Sequence, residues 1–177
     1  MGGQCEARRR RSLATAGAKL TERSAAVDPH TLAQQTMLEH QILKHLTNAL
    51  EVSLNWDADG IDGSRKLASV RFVMQSLQRH LERQLALEEF DGYMEAVLES
   101  HPSLSGQIEK LKHEHDEFRA ATYRIVSHLD SMVPGDAANF EATCGEIRQL
   151  LVKLAEHSRK EVNLLQDSFL QEEVGLD

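Results

Sequence analysis

The chain has 177 residues, 41% of them hydrophobic and 27% charged, with a net charge of −8. That balance fits one soluble globular domain with a sizeable core rather than a disordered or membrane-embedded chain. Three Pro, ten Gly and 5% aromatic residues leave too little turn punctuation for a β-sandwich or barrel, so long helices with few connections are expected.

The two cysteines, Cys5 and Cys144, stand far apart and form no CxxC pair or disulfide framework, which points to a reducing cytoplasm. No stretch approaches the roughly 18 consecutive apolar residues that a membrane span requires. The first 20 residues, MGGQCEARRRRSLATAGAKL, lack the apolar centre of a secretory signal, and Glu6 breaks the myristoylation pattern. Residues 1–23 hold six Lys/Arg against Glu6 and Glu22, which leaves 14 basic and 26 acidic residues for the rest of the chain. Residues 1–27 therefore read as a disordered basic arm, and the acidic body argues against nucleic acid as the main partner.

Asp28-Pro29 is a helix-start signal, with Asp as N-cap and Pro at the first helical position, and helical patterning follows to about Leu54. The segment NWDADGIDGS (55–64) resembles a calcium loop in composition only. Counted from Asp57, Ile61 occupies the fifth ligand place and Ala68 the twelfth, where a Glu is needed, so it reads as an acidic loop. Ser64 can cap a second helix running to about Glu99, and His101-Pro102 breaks the chain. A third helix begins near Ser103 and ends near Met132, where Pro134-Gly135-Asp136 makes a turn. A fourth runs from Ala137 to about Leu170. Residues 28–177 thus predict an all-α fold, an antiparallel up-down-up-down four-helix bundle.

Helical periodicity identifies what each inner face carries. The third helix offers Ile108, Leu111, His115, Phe118, Thr122, Ile125 and Leu129; the fourth offers Phe140, Cys144, Ile147, Leu151, Leu154, His157, Glu161 and Leu164. The second shows Val73, Leu77, His80 or Leu81, Gln84, Glu88 and Asp91, and the first Thr36, His40, Leu43, Thr47, Leu50 and Leu54. Every stripe is interrupted by ligand-capable side chains. A buried carboxylate without a partner costs several kcal/mol, and no Lys or Arg shares the central stripes near Glu88 and Glu161. Imidazoles with carboxylates and no thiolate suit iron or manganese, with zinc as a further option. His30, His45, His101, His113 and His128 fall off the stripes, at their fringe or in a loop, and read as surface or packing residues. Cys144 has no adjacent base and reads as core, and no phosphate-cradling Gly motif occurs.

Four pieces in order, LEHQIL around His40, HLERQLALEEFDGYM (80–94), LKHEHDEF (111–118) and HSRKE (157–161), resemble the hemerythrin-like HHE cation-binding domain. The terminal EEVGLD (172–177) is similar to one bacterial branch of that family. The resemblance covers roughly residues 30–177 and implies a non-haem iron centre, di-iron in the family, held here by His40, Glu88, His115, His157 and Glu161. It further implies that an open coordination place takes oxygen or a related diatomic ligand, in a protein that binds or senses such a ligand or handles iron, rather than in an enzyme. Two departures stand out: Gln84 where the family pattern has His, and Arg119 where a second third-helix His would stand. They leave three alternatives: His80 supplies the missing imidazole, the site holds one metal instead of two, or the bundle is a metal-free interaction module with a degenerate site.

Overall fold

A computed structural model describes residues 29–56, 63–90 and 92–174. The expected basic arm over 1–27, most of the acidic loop, Asp91 and the last three residues of the EEVGLD tail lie outside the described residues. Helix α1 spans Pro29–Asn55, α2 Gly63–Glu89, α3 Tyr93–Ser100, α4 Ser105–Ser131 and α5 Ala137–Val174, with a single 3-10 turn at Pro102–Leu104 before α4. The four long helices form the expected antiparallel bundle: α2 packs on α1 and α4, and α5 packs on α4 and, more lightly, on α1. Among the described residues no helix is long and apolar enough to cross a membrane.

The start of α1 at Pro29 and of α5 at Ala137 agree with the helix-start and turn signals. Gly135 takes φ 101°, in the left-handed region that favours glycine. Asp136 then caps α5, its Oδ1 accepting from the Asn139 amide at 3.4 Å and its carbonyl from Phe140 at 3.0 Å. The carbonyls at the end of α4 and just past it are held from outside the helix. The Arg71 guanidinium on α2 donates to Leu129 O at 2.8 Å and to Met132 O at 3.2 Å.

The second helix differs from the expectation. It ends at Glu89, not Glu99, and a separate short helix follows; Ser64 lies inside its first turn rather than ahead of it. Gly92 makes the break possible. A Cβ placed there would lie 2.2 Å from the Leu87 carbonyl oxygen and 2.5 Å from that of Glu88. The chain therefore folds tightly over the end of α2 only because residue 92 has no side chain. Gly92→Ala is expected to lower stability by about 2 kcal/mol or more, through this backbone clash, in denaturant unfolding.

Two apolar clusters divide the interior. The larger joins Leu50, Leu54, Val70, Met74, Leu77, Leu81, Leu85, Phe118, Ile125, Leu129, Cys144, Ile147 and Leu151 with their neighbours. The smaller, beneath α3, joins Met94, Val97, Leu104, Ile108, Leu111 and Leu164. Cys144 is buried as expected, and burial pushes its thiol up. The gap between the two clusters is where the polar side chains of the inner stripes meet.

Candidate metal centre

On α4, His115 follows Leu111 of the small cluster and precedes Phe118 of the large one; on α5, His157 and Glu161 precede Leu164 in the same way. Glu88 closes the last turn of α2. Glu88, His115, His157 and Glu161 are all buried, and one donor atom from each lies within 4.8 Å of the others. His115 Nε2 is 3.5 Å from Glu88 Oε2, and His157 Nε2 is 3.6 Å from Glu161 Oε1. The i, i+4 spacing of His157 and Glu161 lets consecutive turns reach one point.

Outer hydrogen bonds fix the direction of both imidazoles. His115 Nδ1 donates to Glu89 Oε1 at 2.7 Å, and His157 Nδ1 donates to Glu114 Oε2 at 2.8 Å. Each supporting carboxylate is itself held by a cation, Glu89 by Arg119 at 2.8 Å and Glu114 by Lys160. Burial raises Glu89 and Glu114, but these cations and imidazoles outweigh it and hold both below the ordinary carboxylate range. Both Nδ1 protons are thus committed outward, and both Nε2 atoms turn inward, 3.0 Å apart. Two imidazole lone pairs cannot face each other at that distance without a proton or a cation between them.

The carboxylates show the same demand for positive charge. Burial, then the charge of Glu161, pushes Glu88 up to about 9. Glu161 is raised by burial too, yet His157, Tyr93 and Glu88 hydrogen-bond its charged form and bring it below the usual value. For His157 the burial that lowers it is outweighed by Glu161 and Glu114, whereas burial keeps His115 low. In the metal-free state, then, protons occupy the place where a cation would neutralise the same donors. Glu88 Oε2 is buried without a hydrogen-bond partner. The donor set fits a transition metal ion: metal–ligand bonds of roughly 2 Å put donors up to about 4 Å apart, a small contraction from the arrangement present.

The other expected residues are placed differently. Gln84 is buried beside Glu88, its amide nitrogen donating to Glu88 Oε1 while its own oxygen stays unpartnered. His80 turns toward α1, where Nδ1 meets Glu39 Oε2 at 2.8 Å, and Arg83 joins the same carboxylate at 3.2 Å. His40 is exposed on α1 and lines the cavity above the cluster without belonging to the four convergent donors. Among the histidines read as non-ligands, His45, His113 and His128 are exposed and His101 is half-buried. Tyr93, which the inner-stripe reading missed, donates its hydroxyl to Glu161 Oε1 at 2.7 Å from the start of α3. Burial and Glu161 together push that phenol far up, so it remains a donor. Tyr93→Phe is expected to weaken metal binding about tenfold with helicity unchanged, as titration with the metal would show.

A four-helix bundle with buried histidines and glutamates gathered between two apolar clusters defines a cation-binding bundle. The family model described as the hemerythrin HHE cation-binding domain matches residues 31–167, and the chain belongs to that family. The terminal EEVGLD motif lies outside the matched span. Neither a curated protein nor a solved structure matches the chain.

Proposed function

We propose that this protein is a cytoplasmic non-haem iron protein that binds or senses oxygen or a related small ligand, without enzymatic turnover, through one ion held by Glu88, His115, His157 and Glu161. The observation that carries the reading is the pair of inward Nε2 atoms 3.0 Å apart, each fixed by an outer carboxylate. Metal sites use such carboxylate–histidine pairs to orient the imidazole and raise its basicity. Two imidazoles with two carboxylates suit iron ahead of softer-ligand metals. Four convergent donors suit a single ion, although the family resemblance implies two.

When bound, iron supplies an open coordination place for a small ligand. The chain's own part is to hold and orient the donors. Glu89 and Glu114 keep the imidazoles oriented, Tyr93 holds Glu161, and Gln84 holds Glu88. Leu111 and Leu164 of the small cluster close one side, and leucines of the large cluster wall a cavity on the other.

Metal analysis after anaerobic reconstitution of the full chain with iron(II) is expected to give one iron per chain. Two would restore the di-iron reading. None, with helicity intact, would leave the metal-free interaction module.

A further inference from the structure

A cavity of about 230 Å³ lies beside the cluster, between α1, α2 and α5, where α5 packs only lightly on α1. Its lining runs from His40 to Glu51, from Leu77 to Glu88 and from Leu151 to Glu161, roughly 15 Å along each helix at 1.5 Å per residue. That length makes it a trough, suited to a chain-like molecule. Leu43, Leu77, Leu81, Leu85, Leu151 and Leu154 are its walls, and Leu43 and Leu154 are only half-buried. Covering such apolar surface with an alkyl chain is favourable, by roughly fourfold in affinity for each methylene taken out of water.

Charged side chains along the trough decide what head group the chain carries and where it sits. Glu88 and Glu161 line the buried part and Glu51 the outer edge, and each disfavours a negative head beside it. The opening along α1 carries instead His40 and Lys44, four residues apart and so on adjacent turns of one face. Both are exposed, so the cavity meets solvent at their side chains. Neither has an ion-pair partner among the described residues. The Lys44 ammonium offers three donors, and the His40 ring offers at least one N–H in either protonation state. An ammonium and an imidazole N–H one turn apart complement a carboxylate. A neutral head would leave the ammonium without a counter-charge, and a cationic head would be repelled by it.

We propose that this trough binds one linear, medium-chain carboxylate, its head held at the solvent-facing opening by Lys44 and His40 and its alkyl chain laid along the leucines. The head stays in contact with water, so no charge is buried, and only methylenes enter the apolar part. The proposal gives a role to His40, which stands outside the four convergent donors. It does not depend on the cluster holding a metal, because neither the head nor the chain requires one.

The test is calorimetric titration of the full chain, freed of metal by chelation, with octanoate, butanoate, octanol and octylamine. One octanoate is expected to bind per chain. Butanoate, four methylenes shorter, should bind about a hundredfold more weakly. Octanol, which keeps the chain without the charge, should bind about fivefold more weakly, the scale of one exposed ion pair. Octylamine should be weaker than octanol. Lys44→Gln changes an exposed residue and should make octanoate and octanol equal. Leu154→Trp, which fills the trough, should abolish octanoate binding, with Leu43→Glu as the second variant should the first lose helicity. No octanoate binding, several octanoates per chain, octanol or octylamine binding as tightly as octanoate, an octanoate preference that survives in Lys44→Gln, or octanoate binding that survives in a helical trough variant would overturn the proposal. Iron uptake is measured on separate samples, so failure of the carboxylate site leaves the metal reading standing, and the reverse.

Discussion

Iron-loaded protein is expected to melt about 10 °C above the same protein after chelation, and His157→Ala to erase that difference. Metal held at 1,000 times its dissociation constant stabilises the folded state by about 4 kcal/mol. For a chain of this size each kcal/mol moves the midpoint by roughly 2–4 °C. His157 is the sharpest single deletion because it faces three groups at once: His115 at 3.0 Å, Glu161 at 3.6 Å and Glu114 at 2.8 Å. Its ring also packs edge-on against Phe118, with centroids 5.1 Å apart. Removing it therefore costs some stability in the metal-free form as well, which fixes the comparison to be made. The informative quantity is the difference between loaded and chelated samples of each variant. Glu161→Gln should shrink that difference too, since it replaces a charged donor with a neutral amide while keeping its shape. If chelation leaves the wild-type midpoint unchanged, with iron absent from the untreated protein, the interaction-module reading replaces the metal-binding one.

The α4 stripe was fully legible in the sequence. Ile108, Leu111, His115, Phe118, Thr122, Ile125 and Leu129 are the residues that the helix buries. His157, Glu161 and Glu88 were legible for the same reason: each continues an apolar stripe whose flanking leucines fix its direction. The first helix was harder. His40 lies roughly 75° off the line through Leu43, Leu46, Leu50 and Leu54 at about 100° per residue, and Glu39 is nearer to it. Glu39 takes the buried position because His80 and Arg83 of α2 meet its carboxylate there. Such a pairing depends on the register between two helices, which one helix's periodicity does not contain.

The supporting carboxylates were hidden for the same reason. Glu89 adjoins the ligand Glu88 yet orients His115 on α4, and Glu114 adjoins His115 yet orients His157 on α5. Each partner lies across a helix interface. Tyr93 was hidden by the break at Gly92, since a helix continued past Glu89 points the tyrosine elsewhere. The Asp91-Gly92 pair is a readable stop signal, while Met94 and Val97 beyond it keep a helical spacing.

The two carboxylates of the cluster make a prediction that does not need the metal. Glu88 keeps its proton in the folded chain to a pH of about 9, because burial and the neighbouring Glu161 disfavour its charge; an unfolded glutamate loses it near 4.5. Below pH 4.5 both states bind the proton, and Glu88 adds no pH dependence. Between these values the folded state binds more protons than the unfolded one, so metal-free protein loses stability as pH rises. The groups with lowered values, Glu89, Glu114 and Glu161, contribute in the opposite sense, but they lose their contribution as pH falls below the ordinary carboxylate range. They leave the window from pH 5 to 8 clear. His157, raised, adds a slope of the same sign as Glu88 near neutrality, and His115, lowered by burial, one of the opposite sign below the free histidine value, so a variant comparison is needed to isolate Glu88. Glu88→Gln provides it. Glutamine has the shape of a protonated glutamate, can accept from Gln84, and cannot ionise. The stability of metal-free wild type relative to Glu88→Gln is expected to fall by on the order of 3 kcal/mol between pH 5 and pH 8, at up to about 1.4 kcal/mol per pH unit. The same variant should lose most of the gain from iron, because one charged donor of four is missing. A substitution that is neutral or stabilising without metal and damaging with it marks a site shaped for a cation. A pH-independent difference between the two metal-free proteins would show that Glu88 is already ionised in the fold and that another cation neutralises it.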